Sequence, residues 1–274
     1  TVFPFTTLFR SLSAINVTGG NIVSIENNVI DSNPGNGVLI AGGDQVDVYN
    51  NTFASNGNGM LITGQLNGTI DIRQNEISSS KQNGILLGAY TLGNTTITEN
   101  NVTSNNCGLF ISANTSTYIT GNYISNNTVG IEYDGFADHQ ISFNDIYENG
   151  QGVELTSFYN GTVNAAHNYW GQETGPEHTS LNPYGKGNSV GGDGTNLVFI
   201  PWLTHSFAYN NLPPTAVLWT DKLLVAPGQT VMFVGTDSRD DGSVYQHFFD
   251  FNDTGNSGWT TLSLFNHSYS STGT

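Results

Sequence analysis

Two glutamates occupy matching places in two similar stretches of the sequence. Glu132 and Glu154 each follow a glycine and a β-branched residue, and they lie 22 residues apart. If this spacing is one structural repeat, the two carboxylates stack, and like charges so close raise one pKa or attract a cation. Carboxyl groups about 5–5.5 Å apart are also what retaining glycosidases use. If the chain is an enzyme, Glu132 and Glu154 are the candidate catalytic residues. We favour solvated outward carboxylates, followed by a weak calcium or sugar contact.

Four aspartates near the C-terminal end form a second candidate site. Asp237, Asp240, Asp241 and Asp253 could hold calcium, which takes carboxylate oxygens as ligands. Ordinary Asp-Gly turn chemistry explains the first three as well. We therefore predict no cofactor, with calcium left open.

The single cysteine and the histidines offer little chemistry. Cys107 is the only cysteine in the sequence, so no intrachain disulfide can form. Because no histidine lies nearby in sequence, we interpret Cys107 as a small buried hydrophobic residue. His167, His178 and His205 are spread too widely to predict a zinc site.

The charge balance limits the partners. The 274 residues include 6 basic and 22 acidic ones, a formal net charge of −16. Nucleic acid is excluded as a partner, because phosphate binding needs a basic surface. No stretch reaches the roughly 20 apolar residues of a membrane span, and none is typical of a signal peptide. The chain starts abruptly and stops inside a motif, so we expect it to be part of something longer.

Ten Asn-x-Ser/Thr sequons permit N-glycosylation outside the cell. They lie at Asn16, Asn50, Asn67, Asn94, Asn101, Asn114, Asn126, Asn160, Asn252 and Asn266.

A regular repeat must position these side chains. Seven asparagines, each two residues before an apolar or aromatic one, recur at steps of 22 to 25 residues: Asn28, Asn51, Asn75, Asn100, Asn122, Asn144 and Asn168. Six glycines run in phase with them, each opening a short β-prone run: Gly37, Gly59, Gly84, Gly108, Gly130 and Gly152. A fixed period of this length indicates a repeat architecture. We interpret the asparagines as stacked turn residues that bond their own backbone and each other.

A period this short holds three strands of about 4–5 residues and no crossover helix. Coils of such strands stack about 4.8 Å apart. After each glycine, the first and third residues are predicted to face inward and the middle one outward. The outward positions before Glu132 are apolar, which predicts an interface: Leu39, Leu61, Leu86 and Phe110. An exposed apolar stripe usually marks a contact, although a loop or the C-terminal domain could instead cover it.

The repeat resembles the right-handed parallel β-helix family, most clearly over Ile119–Ile131. The resemblance implies an all-β fold with about seven coils in residues 25–209, closed by an atypical coil at 168–209. Residues 1–24 are predicted to be an N-terminal cap strand, or a strand offered to a neighbouring molecule. The family includes polysaccharide lyases, glycoside hydrolases, carbohydrate-binding modules and passive surface stalks. Lyases of this kind generally need a basic group, and no Lys or Arg follows Lys81 in the repeats.

Residues 210–274 contain an Asp-Gly turn, the run Phe249-Asp-Phe-Asn-Asp253, and His267-Ser-Tyr269. With these motifs the segment resembles a PKD-type immunoglobulin-like domain. It departs from the family with Phe for Trp and Asn for Gly. The expected final strands do not follow, so we predict an incomplete β-sandwich. Either further residues complete it or a strand of another molecule does, with residues 1–12 as one candidate.

The sequence therefore predicts a structural extracellular protein, most like archaeal or bacterial surface proteins. It would be a subunit of a surface layer, sheath or filament, or an adhesive stalk, with itself or other surface proteins as partners. A carbohydrate-binding module and a polysaccharide lyase or hydrolase are the alternatives.

Overall fold

The chain divides into two compact units, Thr1–Tyr209 and Asn210–Thr274. The computed structural model describes residues 2–3, 13–88, 90–91, 93–192, 196–207, 216–222, 224–238, 246–253 and 255–271. All regular secondary structure in these ranges is β-strand, because the sequence is rich in Asn, Ser, Thr and Gly, which disfavour helix interiors.

Within the described ranges, the first unit contains 24 strands. They are β1 (Val2–Phe3), β2 (Ser13–Val17), β3 (Ile22–Glu26), β4 (Val29–Asp31), β5 (Asn36–Ile40), β6 (Gln45–Tyr49), β7 (Thr52–Ala54), β8 (Asn58–Ile62), β9 (Gln65–Leu66), β10 (Ile70–Arg73), β11 (Glu76–Ser78), β12 (Asn83–Leu87), β13 (Tyr90–Thr91), β14 (Thr95–Thr98), β15 (Asn101–Thr103), β16 (Cys107–Ile111), β17 (Thr117–Thr120), β18 (Tyr123–Ser125), β19 (Val129–Tyr133), β20 (His139–Ser142), β21 (Asp145–Tyr147), β22 (Gln151–Leu155), β23 (Val163–Asn164) and β24 (Leu197–Val198).

Three long parallel sheets run along this unit, and β9 and β13 form a fourth, two-stranded parallel sheet. The nine-stranded sheet has the order β1-β3-β6-β10-β14-β17-β20-β23-β24, the seven-stranded sheet β2-β5-β8-β12-β16-β19-β22, and the six-stranded sheet β21-β18-β15-β11-β7-β4. The chain visits each sheet once per turn, so the unit is a β-solenoid. The six-stranded sheet gives six complete coils, in line with the prediction of about seven.

The coils begin earlier than the sequence suggested. Strands β2 and β3 already belong to the stack, so the boundary predicted at residue 25 is too late. Val2–Phe3 pairs in parallel with Ser24 and Ile25 of the same chain, at the end of the nine-stranded sheet. The rest of the predicted cap before residue 13 lies outside the described residues.

The seven predicted asparagines form a buried ladder. In its middle, Asn75 Nδ2 donates to Asn100 Oδ1 at 2.9 Å and to the carbonyls of Val48 and Arg73, both at 2.9 Å. Each ladder asparagine follows a residue with a positive φ, such as Gln74 (55°). The side chain thus bonds its own turn and the neighbouring coils, as predicted.

A second ladder, not predicted from the sequence, lines the next turn of each coil. It contains Asn33, Asn56, Ser80, Asn105, Asn127, Asn149 and Asn188. Residues with positive φ precede its first six members. Two turns per coil are therefore held by stacked side chains.

The in-phase glycines lie where consecutive coils approach closely. A Cβ on Gly59 would lie 2.5 Å from the Gly84 carbonyl oxygen and 2.9 Å from Ile77 Cγ2. A side chain cannot fit there without moving backbone.

Apolar side chains from all three sheets fill the solenoid in one continuous core. Trp170 is fully buried in that core, and Trp202 packs against it, as a closing coil requires. Asp145, buried on the six-stranded sheet, accepts hydrogen bonds from the Ser206 hydroxyl and from the Phe207 N–H at 2.5 Å.

The second unit contains β25 (Trp219–Thr220), β26 (Thr230–Val234), β27 (His247–Asp250), β28 (Asn256–Thr260) and β29 (Leu264–Ser268). They form two antiparallel sheets, β25-β26-β29 and β27-β28. Val231, Phe233, Phe249 and Phe251 are its buried core. This arrangement is consistent with the predicted β-sandwich.

Candidate functional site

The outer face of the seven-stranded sheet carries one continuous row of side chains. In each five-residue strand the fourth residue points outward, because strand side chains alternate between the two faces. Parallel pairing places these residues directly over one another in the order Asn16, Leu39, Leu61, Leu86, Phe110, Glu132 and Glu154. We call these seven residues the outward row. From Leu39 to Glu154 its register is the one predicted from the spacing, and Asn16 is an addition.

The outward row is only partly accessible to solvent. Asn16 is exposed, whereas the four apolar residues and the two glutamates are half-buried. Coils about 4.8 Å apart explain this, since each side chain shields its neighbours. The result is a narrow apolar strip with a neutral polar end and an acidic end.

The carboxyl groups at the acidic end influence one another's ionisation. The pKa of Glu132 is raised, first by partial burial, then by the stacked Glu154 and by Asp134. Asp134 accepts a hydrogen bond from the Thr156 hydroxyl at 2.6 Å. Cys107 lies beneath this end. Burial, together with the Glu132 charge, raises the pKa of its thiol to about 12, so it is an inert buried residue, as predicted.

Other acidic and histidine residues close in sequence do not join the glutamates. Asp145 lies on the six-stranded sheet and His139 on the nine-stranded sheet. Asp138 lies on an exposed turn, where Thr162 donates to it from both its N–H and its hydroxyl, and these bonds lower the Asp138 pKa. The acidic end therefore consists of Glu132 and Glu154, with Asp134 at its edge.

A buried polar cluster inside the nine-stranded sheet was not predicted. Thr95, Thr117 and His139 stack in an inward row that is otherwise aliphatic. His139 Nδ1 accepts from the Thr117 N–H at 3.3 Å and lies 2.9 Å from the Thr117 hydroxyl, while its Nε2 is buried without a partner. The ring packs against Tyr133, with centroids 4.6 Å apart.

Burial lowers the pKa of His139 to about 4, so the ring is neutral at physiological pH. One sequence signal could have located it. Aligning His139-Gln-Ile141 with Thr117-Tyr-Ile119 places the histidine at an inward position.

The predicted calcium ligands are engaged separately where the structure describes them. Asp237 accepts from Trp219 Nε1 at 2.9 Å, and Asp253 pairs with His267 Nε2 at 2.7 Å. The bond from His267 lowers the Asp253 pKa. Asp240 and Asp241 lie outside the described residues. Within the described ranges, no three His, Cys, Asp or Glu side chains come together as metal ligands.

Nine of the ten sequon asparagines are exposed. Asn101 is the exception: it is half-buried on the six-stranded sheet, and its Nδ2 donates to Glu76 at 2.7 Å. Because a glycan attaches through that nitrogen, Asn101 is a poor acceptor in the folded chain.

Two concavities lie away from the outward row. One, of about 340 Å³, is polar and is formed at the closing coil by residues that include Glu148, Glu177 and Lys186. The other, of about 230 Å³, is largely apolar and lies in the second unit beside Phe233, His247 and Phe249.

Comparison with known proteins gives one match. A family model described as "Right handed beta helix region" matches residues 13–169, which is 157 of the 274 residues. No curated protein and no solved structure matches the chain. Within the described ranges, no helix has the length and apolar character needed to cross a membrane.

Proposed function

Since this chain belongs to the right-handed β-helix family, we propose that it is a structural protein of the cell exterior. Its solenoid serves as a rigid element of a surface layer, sheath, filament or adhesive stalk. Copies associate sideways through the outward row. Family membership leaves both surface proteins and polysaccharide-acting enzymes open, so the choice rests on this chain's own surface.

The outward row carries the proposal. Leu39, Leu61, Leu86 and Phe110 form a continuous apolar strip along the parallel sheet. A contiguous apolar strip at a protein surface is typical of a contact surface. The stacked coils and two side-chain ladders supply the stiffness that a rod needs.

Two further features support an exterior location. Nine exposed sequons are placed where glycans could attach. The second unit, with its antiparallel sheets and the Phe249–Asp253 run, fits a PKD-type spacer.

Self-association of the purified chain tests the proposal. We expect sedimentation velocity to show concentration-dependent assembly, and Leu86→Glu to abolish it by placing a charge in the strip. Gln140→Glu is the matched control, because Gln140 is exposed on the outer face of the nine-stranded sheet. If the parent chain stays monomeric at all concentrations, or both variants behave alike, the proposal is wrong.

One observation favours a second candidate, hydrolysis of a polysaccharide. Glu132 and Glu154 stack in register and the Glu132 pKa is raised, as a general acid requires. A screen of neutral and acidic polysaccharides for new reducing ends tests it. Activity that disappears in Glu132→Gln, while the fold is retained, would favour this candidate over the structural one.

A further inference from the structure

The outward row differs at its two ends. It starts at Asn16, an exposed neutral amide, and finishes at the two glutamates of β19 and β22. Leu86 is its middle member, with three residues on each side. This asymmetry constrains how a second copy can dock.

We propose that two copies meet face to face through the outward row with their coil axes antiparallel. This rests on the proposed function and specifies its partner and geometry. Leu86 of one copy then lies opposite Leu86 of the other, and Leu61 opposite the other copy's Phe110. At both ends Asn16 faces Glu154 of the second copy.

Charge selects this orientation. If the coil axes were parallel, Glu132 and Glu154 would face the same residues of the second copy, with four carboxylates at one end. Like charges juxtaposed across an interface strongly disfavour association. The antiparallel pairing separates them, and the Asn16 amide supplies N–H donors to the Glu154 carboxylate. An arrangement of this kind is also closed and twofold, the commonest symmetry of homodimers.

The size of the face predicts a weak contact. Six spacings of about 4.8 Å between seven strands, and five residues at about 3.3 Å each, give roughly 480 Å² per copy. Two such faces bury roughly 950 Å², below the about 1,200–2,000 Å² of stable complexes. The pair should therefore form at high concentration or within a larger array. A glycan on Asn16 would occupy one end of the row, so glycosylation there and full-length pairing exclude one another.

Cysteine cross-linking distinguishes the two orientations. Packed sheets lie about 10 Å apart, too far for a disulfide but within reach of a short bis-maleimide. Cys107 is buried and gives little background. The experiment uses full-length chain made without N-glycans, carrying Leu61→Cys, Phe110→Cys or Leu86→Cys, with one partner isotope-labelled.

We expect Leu86→Cys to cross-link with itself. In an equimolar mixture, Leu61→Cys should cross-link to Phe110→Cys at least roughly tenfold more than either does to itself, given the cost of facing like charges. Gln140→Cys, on the nine-stranded sheet, should give no product. Adding Glu132→Gln and Glu154→Gln to both chains should bring the mixture toward the statistical share, about half mixed product.

Each contrary result has its own meaning. Leu61→Cys products that are mostly self-linked would overturn the antiparallel orientation and leave sideways association standing. A mixed-product preference that survives the double glutamine change would overturn the role of the carboxylates. If Leu86→Cys forms no product at any concentration, the row is not a self-contact, and the proposed function fails with it.

Discussion

Protonation of His139 should lower the stability of the solenoid at acid pH. Its Nδ1 is already an acceptor for Thr117, and the ring is completely buried. Protonation of Nδ1 would break that hydrogen bond and leave a buried positive charge. The pKa of His139 in the folded chain, about 4, lies below the usual histidine value of about 6.5, so the unfolded chain binds the proton more readily. Stability should be complete above about pH 6.5 and fall as the pH drops, by about 3 kcal/mol near pH 4.

Denaturant unfolding at a series of pH values checks this prediction. His139→Val is the matched variant, because valine occupies the same inward row at Val23, Val46 and Val163. The variant should lose less stability than the parent between pH 7 and pH 4. Equal acid sensitivity in the two chains would contradict the prediction.

The ladder asparagines allow a second test at the residue scale. Asn75→Asp keeps the shape of the side chain but removes the amide that donates hydrogen bonds to three oxygens. The carboxylate oxygen that replaces the amide nitrogen would repel those three acceptor oxygens. We expect a loss of about 3 kcal/mol or more of unfolding free energy, since buried polar groups and charges are left unsatisfied. Asn50→Asp is the control, because Asn50 is exposed and directly precedes the ladder member Asn51. It should cost far less unfolding free energy. Thermal unfolding of both variants at pH 7 measures the difference.

Only one of the two side-chain ladders could be predicted from the sequence. The first was predictable because every member is asparagine and each precedes an apolar residue by two positions. The second was hidden because Ser80 interrupts it and Asn188 lies 39 residues beyond Asn149. His139 escaped notice because a lone polar residue at an inward position contradicts the apolar pattern that identifies the core.

At the scale of the coil, every strand of the seven-stranded sheet except β2 contains a glycine. The reason is that the backbones of consecutive coils approach closely at this position. Gly59→Ala would drive a Cβ into the Gly84 carbonyl. Overpacking against backbone should cost about 2 kcal/mol or more. Gly19→Ala is the control, because nothing lies within 4 Å of its added Cβ and its φ needs no glycine. If the two variants have equal midpoints in denaturant, close approach is not the reason for the glycine.

The same feature explains why the first coil was missed. Ser13 pairs with Asn36, so Ala14 stands where the next coil has Gly37, and the glycine mark is absent. Asn168 marks the last turn of the regular stack. Tyr169 then makes isolated parallel bridges to Asp145 and Leu203, and the chain enters the closing segment.

At the scale of the whole molecule, the two units differ greatly in how much they bury. Among the described residues, the first has 37 buried apolar side chains in one cluster and the second has four. The second also exposes several large apolar side chains, including Trp259 at 72% and Leu224 at 93%. A small core rarely supplies more than about 3–5 kcal/mol.

Calorimetry of the full chain should therefore show two unfolding transitions, the smaller one at lower temperature. Phe249→Ala removes a quarter of the second unit's core and should shift only the lower transition, whereas Ile97→Ala should shift only the upper one. Each should cost its own unit about 3 kcal/mol, as large-to-small core changes do. A single transition that both variants shift equally would mean that the two units unfold as one, and that the second is stabilised by more than its own four-residue core.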